Sequence, residues 1–349
     1  MNSKLKERIL AFSDLGTLFY ENFNEKKVKT FPKWNSLLEI KLNEANLFNP
    51  WFTTKNLKLT LKNWSELLNE KKIENWISNY NFKNDHNKKI AIIMAGNIPI
   101  VGFHDLLCVM LLNYKCLVKL SSDDKILIPF IVDFLIQRCS QFKNRIKFEE
   151  YKLKDFDAVI ATGSNSSHKY FEYYFKKYPN LLRKTRHSVA ILDGNESDND
   201  LSLLSDDIFN YFGLGCRSVS KVFVPKGYDL DLLFNAFFKH KDVINHNKYV
   251  NNFDYNKAVL LMSEEKFIEN GFIILKKESK LGSPIGCLYY EEYEEINDIY
   301  NTIDNMSEHI QCVVGNFHNN ERINFGFTQC PKLYDYSDKI DTIDFLLKI

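Results

Sequence analysis

A single cysteine lies in the segment of this chain that is best suited to covalent chemistry. The segment spans residues 210–225, N-Y-F-G-L-G-C-R-S-V-S-K-V-F-V-P, and its cysteine is Cys216. Gly213 and Gly215 allow the backbone to bend and to approach a ligand more closely than larger residues would permit. A thiol on such a turn can attack a carbonyl carbon while neighbouring N–H groups face the carbonyl oxygen. The alternative is a small buried cysteine after the end of a helix, because free cysteines are usually core residues.

The charge balance gives no electrostatic basis for binding nucleic acid or an anionic membrane. The chain has 349 residues, with 46 basic and 45 acidic side chains and a formal net charge of +1. A nucleic-acid-binding chain usually concentrates basic residues. This length is sufficient for two domains with a large core. We therefore expect a globular protein of two domains without a nucleic-acid partner.

The cysteines and the N-terminus indicate a reducing compartment. The seven cysteines are scattered, and none forms a C-x-x-C pair. This pattern predicts neither a disulfide framework nor a structural zinc site, and we expect no metal. The first residues are charged and lack the apolar run of a signal peptide. No apolar run approaches the ~20 residues that span a bilayer. We expect a cytoplasmic protein without a membrane span.

The elements that must position Cys216 follow an alternating pattern. Residues 1–88 have a helical, polar pattern with four tryptophans as anchors. Short apolar runs then predict strands at 90–94, 116–120, 158–161 and 188–192. Helices are predicted between them at 101–112, 125–138 and 169–177. Strands that alternate with helices of this length predict an α/β fold with a doubly wound, mostly parallel sheet.

A second α/β unit is predicted around the cysteine. Helices are expected at 201–212, 230–240 and 294–306, and strands at 221–224, 259–262, 285–289 and 311–314. The asparagine-rich segment 242–254 has an irregular pattern. The predicted organisation is residues 1–188 as a helical region with a first sheet domain, 189–325 as the domain of the cysteine, and 326–349 as a C-terminal segment.

Three turns follow predicted strands in the first sheet, at the ends where parallel sheets bind ligands. They contain Gly96 and Asn97, residues 120–122, and Thr162-Gly163-Ser164. None has the G-x-G-x-x-G pattern or a Walker loop, so the usual dinucleotide signature is missing. A Thr-Gly-Ser turn before a helix suits contact with a phosphate or a nicotinamide, and it suits plain helix capping equally.

Taken in order, these turns resemble the aldehyde dehydrogenase superfamily, which implies an active site in a cleft between the two sheet domains. Residues 94–122, M-A-G-N-I-P-I…K-C-L-V-K-L-S-S, resemble its W-N-F-P-L…L-K-P-S-E block, and V-I-A-T-G-S at 159–164 resembles its F-T-G-S turn. Within the superfamily the chain is most similar to acyl-CoA reductases of the LuxC type. The shared pieces are N-P-W-F-T at 49–53, A-T-G-S-N at 161–165, R-H-S-V-A-I-L-D-G at 186–194, F-G-L-G-C-R at 212–217 and D-T-I-D-F-L-L at 341–347.

The resemblance implies roles for matching residues. Cys216 would be the nucleophile, and Asn97 would donate to the oxyanion together with the Cys216 N–H. Lys119 would bind the adenosine ribose of the cofactor. Gly163 and Ser164 would lie beside the nicotinamide. From the residues alone, Asn97 is equally a turn residue before Ile98-Pro99, and Lys119 is equally a solvated charge at a strand end.

Departures from the superfamily pattern refine the prediction. Ser122 occupies the place where many NAD-specific members have a glutamate that repels a 2′-phosphate, so we expect NADPH as cofactor. Residues 181–187, L-L-R-K-T-R-H, match the E-L-G-G block without its carboxylate, so no base is expected to activate water. The E-I-F-G-P block corresponds only loosely to residues 279–283, and Glu278 receives no role. His187 is a weaker catalytic candidate.

The resemblance therefore implies NADPH-dependent reduction of an acyl-CoA, with a fatty acyl group, to the aldehyde through a cysteine-bound thioacyl intermediate. The alternatives are an NAD(P)-dependent aldehyde dehydrogenase that forms free acid, and a non-catalytic scaffold for an acyl-transferring partner protein. The apolar residues of 341–349 predict an edge strand or a contact with another subunit, and hence a homo-oligomer.

Overall fold

The structure is a computed structural model that describes residues 3–81, 86–316 and 322–349. The chain forms two compact units. The first contains Met1–Lys184 together with Lys332–Ile349, and the second contains Thr185–Pro331. The C-terminal residues therefore return to the first unit.

Four helices begin the first unit, as the polar N-terminal pattern predicts. They are α1 (Ser3–Phe23), α2 (Pro32–Phe48), α3 (Thr54–Leu67) and α4 (Glu70–Ile77). Pro32 begins α2, a position where its missing N–H breaks no helical hydrogen bond. Thr53 caps α3, because its hydroxyl accepts a hydrogen bond from the Asn56 N–H at 3.3 Å. None of the helices within the described residues is long and apolar enough to cross a bilayer.

A five-stranded parallel sheet follows. Its strands are β1 (Lys89–Ile93), β2 (Lys115–Lys119), β3 (Ile146–Phe148), β4 (Ala158–Thr162) and β5 (Asn180–Arg183), and the helices between them are α5 (Phe103–Leu111), α6 (Leu127–Arg138) and α7 (Asn165–Phe175). The strand order is β3-β2-β1-β4-β5, and every pair is parallel. The order of the strands changes direction at β1, because β2 and β3 lie on one side of it and β4 and β5 lie on the other. Ligands bind at such a point in open parallel sheets.

Alternating residues of the central strand enter two cores. Ile90 and Ile92 pack in the large core that includes α1, α5 and α6. Ala91 lies on the opposite face, in a smaller cluster that includes Phe171 and Phe175 of α7. Burial on both faces explains why the predicted strands are continuous apolar runs.

The second unit contains a six-stranded sheet. Its elements are β6 (His187–Ile191), α8 (Asp198–Phe209), β7 (Val219–Pro225), α9 (Asp231–Phe237), α10 (Asn247–Met262), β8 (Ile268–Glu269), β9 (Ile274–Lys277), β10 (Cys287–Tyr293), α11 (Ile296–Asn305) and β11 (Ile310–Val314). The order is β11-β6-β7-β10-β9-β8, and only the short β8 is antiparallel to its neighbour. The predicted α/β class with parallel sheets is confirmed.

The prediction for the asparagine-rich segment is wrong. Residues 247–262 form α10, so the irregular segment at 242–254 and the strand at 259–262 are both replaced by helix. The His246 side chain accepts from the Tyr249 N–H at 3.3 Å and caps the helix. Tyr249 and Phe253, four residues apart, are its buried anchors. Other apolar residues of this helix, such as Leu261 and Met262, are exposed, so its apolar positions form no single buried face, and tertiary packing decides the structure.

The C-terminal segment differs from the expected edge strand. Residues Thr342–Leu347 form the helix α12, which packs on α5 within the first unit. Ile343 and Leu346 are fully buried there. Arg183 joins the segment to the sheet, since its guanidinium donates to Asp105 at 2.7 Å and to the Thr342 hydroxyl at 2.8 Å. The apolar residues of this segment are thus covered by the chain itself, and the oligomer stays a prediction without support from them.

Replacement of Tyr114 by phenylalanine should loosen this C-terminal contact. The buried Tyr114 hydroxyl donates to the Leu346 carbonyl at 2.7 Å, and its loss should lower the free energy of unfolding by about 1 kcal/mol. Urea denaturation measures the change. The exposed Tyr170 provides a control, because Tyr170→Phe should leave the midpoint unchanged. Equal midpoints for Tyr114→Phe and the wild-type protein would contradict the docking of α12.

Candidate active site

Cys216 lies on a turn between α8 and the amino end of β7. The Ser218 N–H donates to the Gly215 carbonyl at 2.9 Å, which closes a turn with Cys216 at its corner. The cysteine is exposed and forms no disulfide. A thiol at this position is accessible to a carbonyl substrate, and the alternative of a buried core cysteine does not hold.

The backbone that leads into this turn has an unusual conformation. Tyr211, Phe212 and Gly213 have φ angles of 54°, 57° and 74°, all in the left-handed region. Each non-glycine residue in such a conformation costs about 1–3 kcal/mol, so packing must hold it in place. Tyr211 is buried, and the Phe212 ring lies 4.4 Å from the His246 ring, centroid to centroid. Strain that is maintained by aromatic packing is typical of functional turns.

The other cysteines contrast with Cys216. Cys108, Cys116, Cys139, Cys287 and Cys312 are buried, and Cys330 is exposed. Burial raises the pKa of the Cys287 thiol to about 12 and raises the pKa of the Cys108 and Cys116 thiols as well. These thiols are protonated at neutral pH and are poor nucleophiles. Cys216 is therefore the better nucleophile by its exposure and its turn.

A serine of the adjacent strand β6 holds the cysteine turn through a hydrogen bond to its backbone. The Ser188 hydroxyl, on β6, donates to the carbonyl of Cys216 at 2.9 Å. On β7, the Ser220 hydroxyl donates to the Leu281 carbonyl at 2.8 Å. The Cys216 carbonyl is thereby fixed to the sheet, while its side chain stays exposed.

A buried carboxylate positions a second loop against the same turn. Asp207, on α8, accepts from the Gly326 N–H at 2.6 Å, the Thr328 N–H at 3.0 Å and the Thr328 hydroxyl at 2.7 Å. The Thr328 carbonyl in turn accepts from the Arg217 guanidinium. Arg217, next to the cysteine in the chain, is therefore held by this loop. Asp207 acts as a positioning residue through Thr328 and Arg217.

Asp207→Asn should lower turnover by about tenfold at pH 7, because an amide can no longer accept from all three donors. Burial raises the pKa of Asp207 to about 6, so the wild-type carboxyl becomes protonated below that pH and loses acceptors in the same way. The ratio of wild-type to variant kcat should therefore fall towards one between pH 7 and pH 5. Steady-state rates across this range measure it.

Loss of stability cannot produce this pH dependence. The pKa of Asp207 is raised above its ordinary 3.8, so the folded state binds the proton more tightly than the unfolded state. By linkage, this carboxyl stabilises the fold more as the pH falls from about 6 to about 4. A constant activity ratio across the pH range would show that Asp207 has no positioning role.

His187 begins β6 and Glu278 follows the carboxyl end of β9, and both have structural partners. A side chain on Gly282 would come within 2.1 Å of the His187 ring, so the loop after β9 passes directly over this histidine. Burial and the neighbouring His309 lower the pKa of His187. Glu278 forms an ion pair with Lys276 at 3.2 Å, which lowers the pKa of its carboxyl. Neither side chain gains a catalytic role from these contacts.

The predicted residues of the first unit lie at the carboxyl ends of adjacent strands. Asn97 is exposed in the turn after β1. This turn lies against the turn after β2, since a Cβ on Gly96 would come within 2.6 Å of the Ser121 side chain. The Asn49 amide, from the N-P-W-F-T segment, donates to the Asp123 carbonyl at 3.2 Å and holds the second turn. Asn97 and Ser122 are thus presented on two turns that support each other.

Lys119 and the Thr-Gly-Ser turn also have local structural roles. The Lys119 ammonium group donates to the Tyr151 carbonyl at 2.8 Å. Ser164 caps α7, because its hydroxyl accepts from the Ser167 N–H at 3.3 Å. A Cβ on Gly163 would meet the Phe171 ring at 2.8 Å, so packing requires glycine there. The structure is therefore compatible with both roles of this turn, which are helix capping and contact with a phosphate or a nicotinamide.

These residues fit a nicotinamide dinucleotide. The turns that contain Asn97, Ser122 and Ser164 follow β1, β2 and β4, which are neighbours in the sheet. Exposed hydroxyl groups, a lysine and the N-terminus of α7 are groups that bind ribose and phosphate. Ser122 brings no negative charge to the edge of the sheet. Within the described residues, no group of three or more His, Cys, Asp or Glu side chains is arranged to hold a metal ion.

Sequence reasoning missed the residues that hold the cysteine turn. Asp207 and Thr328 are 121 positions apart, and a single sequence contains no signal that joins them. Ser188 lies in the R-H-S-V-A-I-L-D-G segment, and the resemblance of that segment implies no role for its serine. The only sequence signal for Ser188 is its polar side chain at the start of the predicted apolar strand 188–192.

Solved structures of aldehyde dehydrogenases share this fold. Aldehyde dehydrogenase 21 from Physcomitrella patens matches with a TM-score of 0.65 at 10% identity, over 90% of this chain and 74% of that one. An aldehyde dehydrogenase from Bacillus cereus matches with a TM-score of 0.61 at 12% identity, over 93% and 76% of the two chains. The P. syringae indole-3-acetaldehyde dehydrogenase AldA, solved with NAD⁺, matches with a TM-score of 0.63 at 10% identity, over 91% and 73%.

Sequence comparison is more specific than the fold. A search of curated protein sequences finds no match. The family model described as acyl-CoA reductase (LuxC) matches residues 4–233, which include the four N-terminal helices, the whole first sheet and the Cys216 turn. The chain therefore belongs to the acyl-CoA reductase (LuxC) family, with an aldehyde-dehydrogenase-like fold.

Proposed function

We propose that this protein reduces a fatty acyl-CoA to the aldehyde with NADPH, through a thioacyl intermediate on Cys216. The observation that supports the proposal most directly is the exposed thiol of Cys216 on a strained turn, in a chain of the acyl-CoA reductase family. An oxidoreductase that acts at the level of aldehydes follows from the family. The thioester substrate, NADPH as the cofactor and a fatty chain as the acyl group are proposed here in addition.

The reaction begins with attack of the Cys216 thiolate on the thioester carbonyl. The new C–S bond forms as the carbonyl electrons move to oxygen. The oxyanion is stabilised by the Cys216 N–H and the Asn97 side chain, and one such donor typically contributes about 3–4 kcal/mol in the transition state. When the carbonyl re-forms, the bond to CoA breaks and CoA leaves as a thiolate. The acyl group is then a thioester of Cys216.

NADPH, when bound, supplies the hydride that reduces the acyl carbon. Lys119, Ser122, Gly163 and Ser164 are the proposed cofactor residues, and the missing acidic side chain at position 122 tolerates a 2′-phosphate. Cys216 then serves as the leaving group, because a thiohemiacetal collapses to free aldehyde and thiolate. The overall reaction consumes a proton with NADPH and releases CoA, the aldehyde and NADP⁺.

The residues at 181–187 favour reduction over formation of free acid. Hydrolysis of the thioacyl enzyme needs a base that activates water. Residues 181–183 belong to β5, and the following residues lead into β6, with no carboxylate in the segment. Reduction needs no such base, since the intermediate is consumed by hydride.

Turnover with acyl-CoAs of graded length tests the proposal. Loss of nicotinamide absorbance should depend on the acyl-CoA, should yield aldehyde and should be faster with NADPH than with NADH. Formation of free acid from aldehyde without CoA would favour a dehydrogenase instead. No turnover of any thioester would remove the reductase assignment and leave the role of a scaffold for an acyl-transferring partner.

A further inference from the structure

A strongly basic pocket lies in the first unit, apart from the residues assigned above. Its volume is about 540 Å³, and it opens between the amino ends of β1, β2 and β3 and the segment 149–155. Six cationic side chains line it: Lys89, Lys115, Arg145, Lys147, Lys152 and Lys154. Of the predicted cofactor residues, Lys119 at the carboxyl end of β2 donates to the Tyr151 carbonyl beside this pocket, whereas Ser122, Gly163 and Ser164 are not among its lining residues.

The pocket results from an unusual connection between parallel strands. Such strands are normally joined through a helix that covers the sheet, but residues 149–157 run back from β3 to β4 without one. Both ends of this segment are fixed, by the Glu149 N–H to the Val118 carbonyl and by the Asp157 N–H to the Lys89 carbonyl, each at 2.8 Å. The bond from Lys119 to the Tyr151 carbonyl holds its middle. The face of β2 beneath the segment is left as the floor of a pocket.

The positive charge of this pocket is largely uncompensated. Its lining has two acidic residues, Glu149 and Asp155, against six cations, although the whole chain has a net charge of only +1. Lys147 pairs with Glu149 at 3.1 Å. The remaining four lysines of the lining, at 89, 115, 152 and 154, form no ion pair with any residue of the described ranges. A concave surface with this charge attracts polyanions.

We propose that this pocket binds the phosphorylated ADP group that CoA and NADPH share, an adenosine with a pyrophosphate and a ribose phosphate. The volume falls within the roughly 300–1,000 Å³ of small-molecule sites, and lysine ammonium groups bind phosphate. The Tyr151 ring, 80% exposed in the lining, is available to stack on the base. Since none of the proposed cofactor residues lines this pocket, CoA is the expected source. The choice of ligand rests on the proposed function, whereas the basic pocket does not.

Titration calorimetry with adenosine 3′,5′-bisphosphate, the nucleotide of CoA, tests the site. The full-length protein should bind it, and Lys152→Glu/Lys154→Glu should weaken binding by about tenfold or more at low salt. Both lysines are exposed, so the variant should keep the wild-type melting temperature. Lys55→Glu/Lys62→Glu on α3 makes the same change in net charge away from the pocket and should alter the dissociation constant by less than about twofold.

Adenosine 2′,5′-bisphosphate, the nucleotide of NADPH, distinguishes the two sources. If the pocket variant loses more affinity for the 3′,5′ isomer than for the 2′,5′ isomer, the pocket is assigned to CoA, and the reverse result assigns it to NADPH. Equal losses of affinity for the two isomers support binding of the group that CoA and NADPH share. Unchanged binding in the pocket variant, or no binding of either isomer to the wild type, would overturn the proposal and leave an acidic protein surface as the partner of the pocket.

The binding assay tests the pocket separately from the proposed function. It requires no turnover, and the Cys216→Ala protein should bind the bisphosphate as the wild type does. An inactive protein that still loses bisphosphate binding on charge reversal would keep the pocket and remove the reductase. An active reductase with unchanged binding in the pocket variant would do the reverse.

Discussion

Cys216→Ala should abolish acyl-CoA-dependent oxidation of NADPH, with a loss in kcat of about 10³-fold or more. Cys216→Ser should be nearly as inactive, because a serine hydroxyl ionises far less readily than a thiol. Because the thiol is exposed, neither substitution removes core packing, and both variants should have the melting temperature of the wild-type protein. Steady-state rates at saturating acyl-CoA measure the effect.

Cys330 provides a matched control for this experiment. It is the other exposed cysteine of the described residues, and Cys330→Ser should keep wild-type kcat. Substantial turnover in Cys216→Ala would contradict a covalent role for Cys216 and would favour direct reduction of the bound thioester. Loss of activity in both variants would indicate a general sensitivity to thiol replacement.

Asn97→Ala should reduce kcat by about 10²–10³-fold, the usual effect of losing one oxyanion donor. Asn97 is exposed in the turn after β1, and this turn is held by the contact between Gly96 and Ser121. The KM for acyl-CoA should change little, because the hydrogen bond strengthens as negative charge develops on the carbonyl oxygen. The rate of acyl-enzyme formation in a rapid-mixing experiment separates this effect from later steps.

An exposed asparagine on α4 serves as the comparison for Asn97. Asn75→Ala should leave both kcat and the melting temperature unchanged. If Asn97→Ala instead raises KM and keeps kcat, its amide binds the ground state and not the oxyanion. If it changes neither constant, Asn97 is only a turn residue, as its position before Ile98-Pro99 also allows.

The buried strands could be predicted because their sequence pattern has a direct physical cause. The runs around Ile92, Val118 and Ile160 are continuously apolar, since both faces of a parallel sheet are covered. The two-residue strand β8 and the three-residue strand β3 give no such pattern. In α10 the signal is weak for another reason, because Tyr249 and Phe253 are buried while other apolar residues, such as Met262, are exposed.

The C-terminal segment shows the limit of an argument from hydrophobicity alone. Residues 341–347, D-T-I-D-F-L-L, require a buried surface, and the sequence does not say which one. The buried Arg183–Asp105 ion pair and the hydroxyl of Thr342 direct the segment to the first unit. These three residues are far apart in the chain, so their association could only be found in the folded structure.

The nucleophile could be predicted from local sequence, whereas its support could not. Gly213 and Gly215 beside Cys216 signal a turn, and the left-handed φ of Gly213 agrees with that signal. The same conformation at Tyr211 and Phe212 is unexpected for aromatic residues and depends on their packing. The hydrogen bonds that hold this turn involve Ser188 on β6 and Asp207 on α8, which are other elements of the second unit. Local sequence therefore identifies the reactive group, and long-range packing determines its geometry.

Mass spectrometry of the intact protein after incubation with an acyl-CoA, in the absence of NADPH, shows whether Cys216 forms a thioester with the acyl group. The expected result is a mass increase equal to the acyl group less the hydrogen it replaces, located on the peptide that contains Cys216 and absent in Cys216→Ala. Addition of NADPH should remove the adduct and release the aldehyde. An active protein that acquires no adduct, or an adduct at another residue that NADPH discharges, would contradict the thioacyl mechanism.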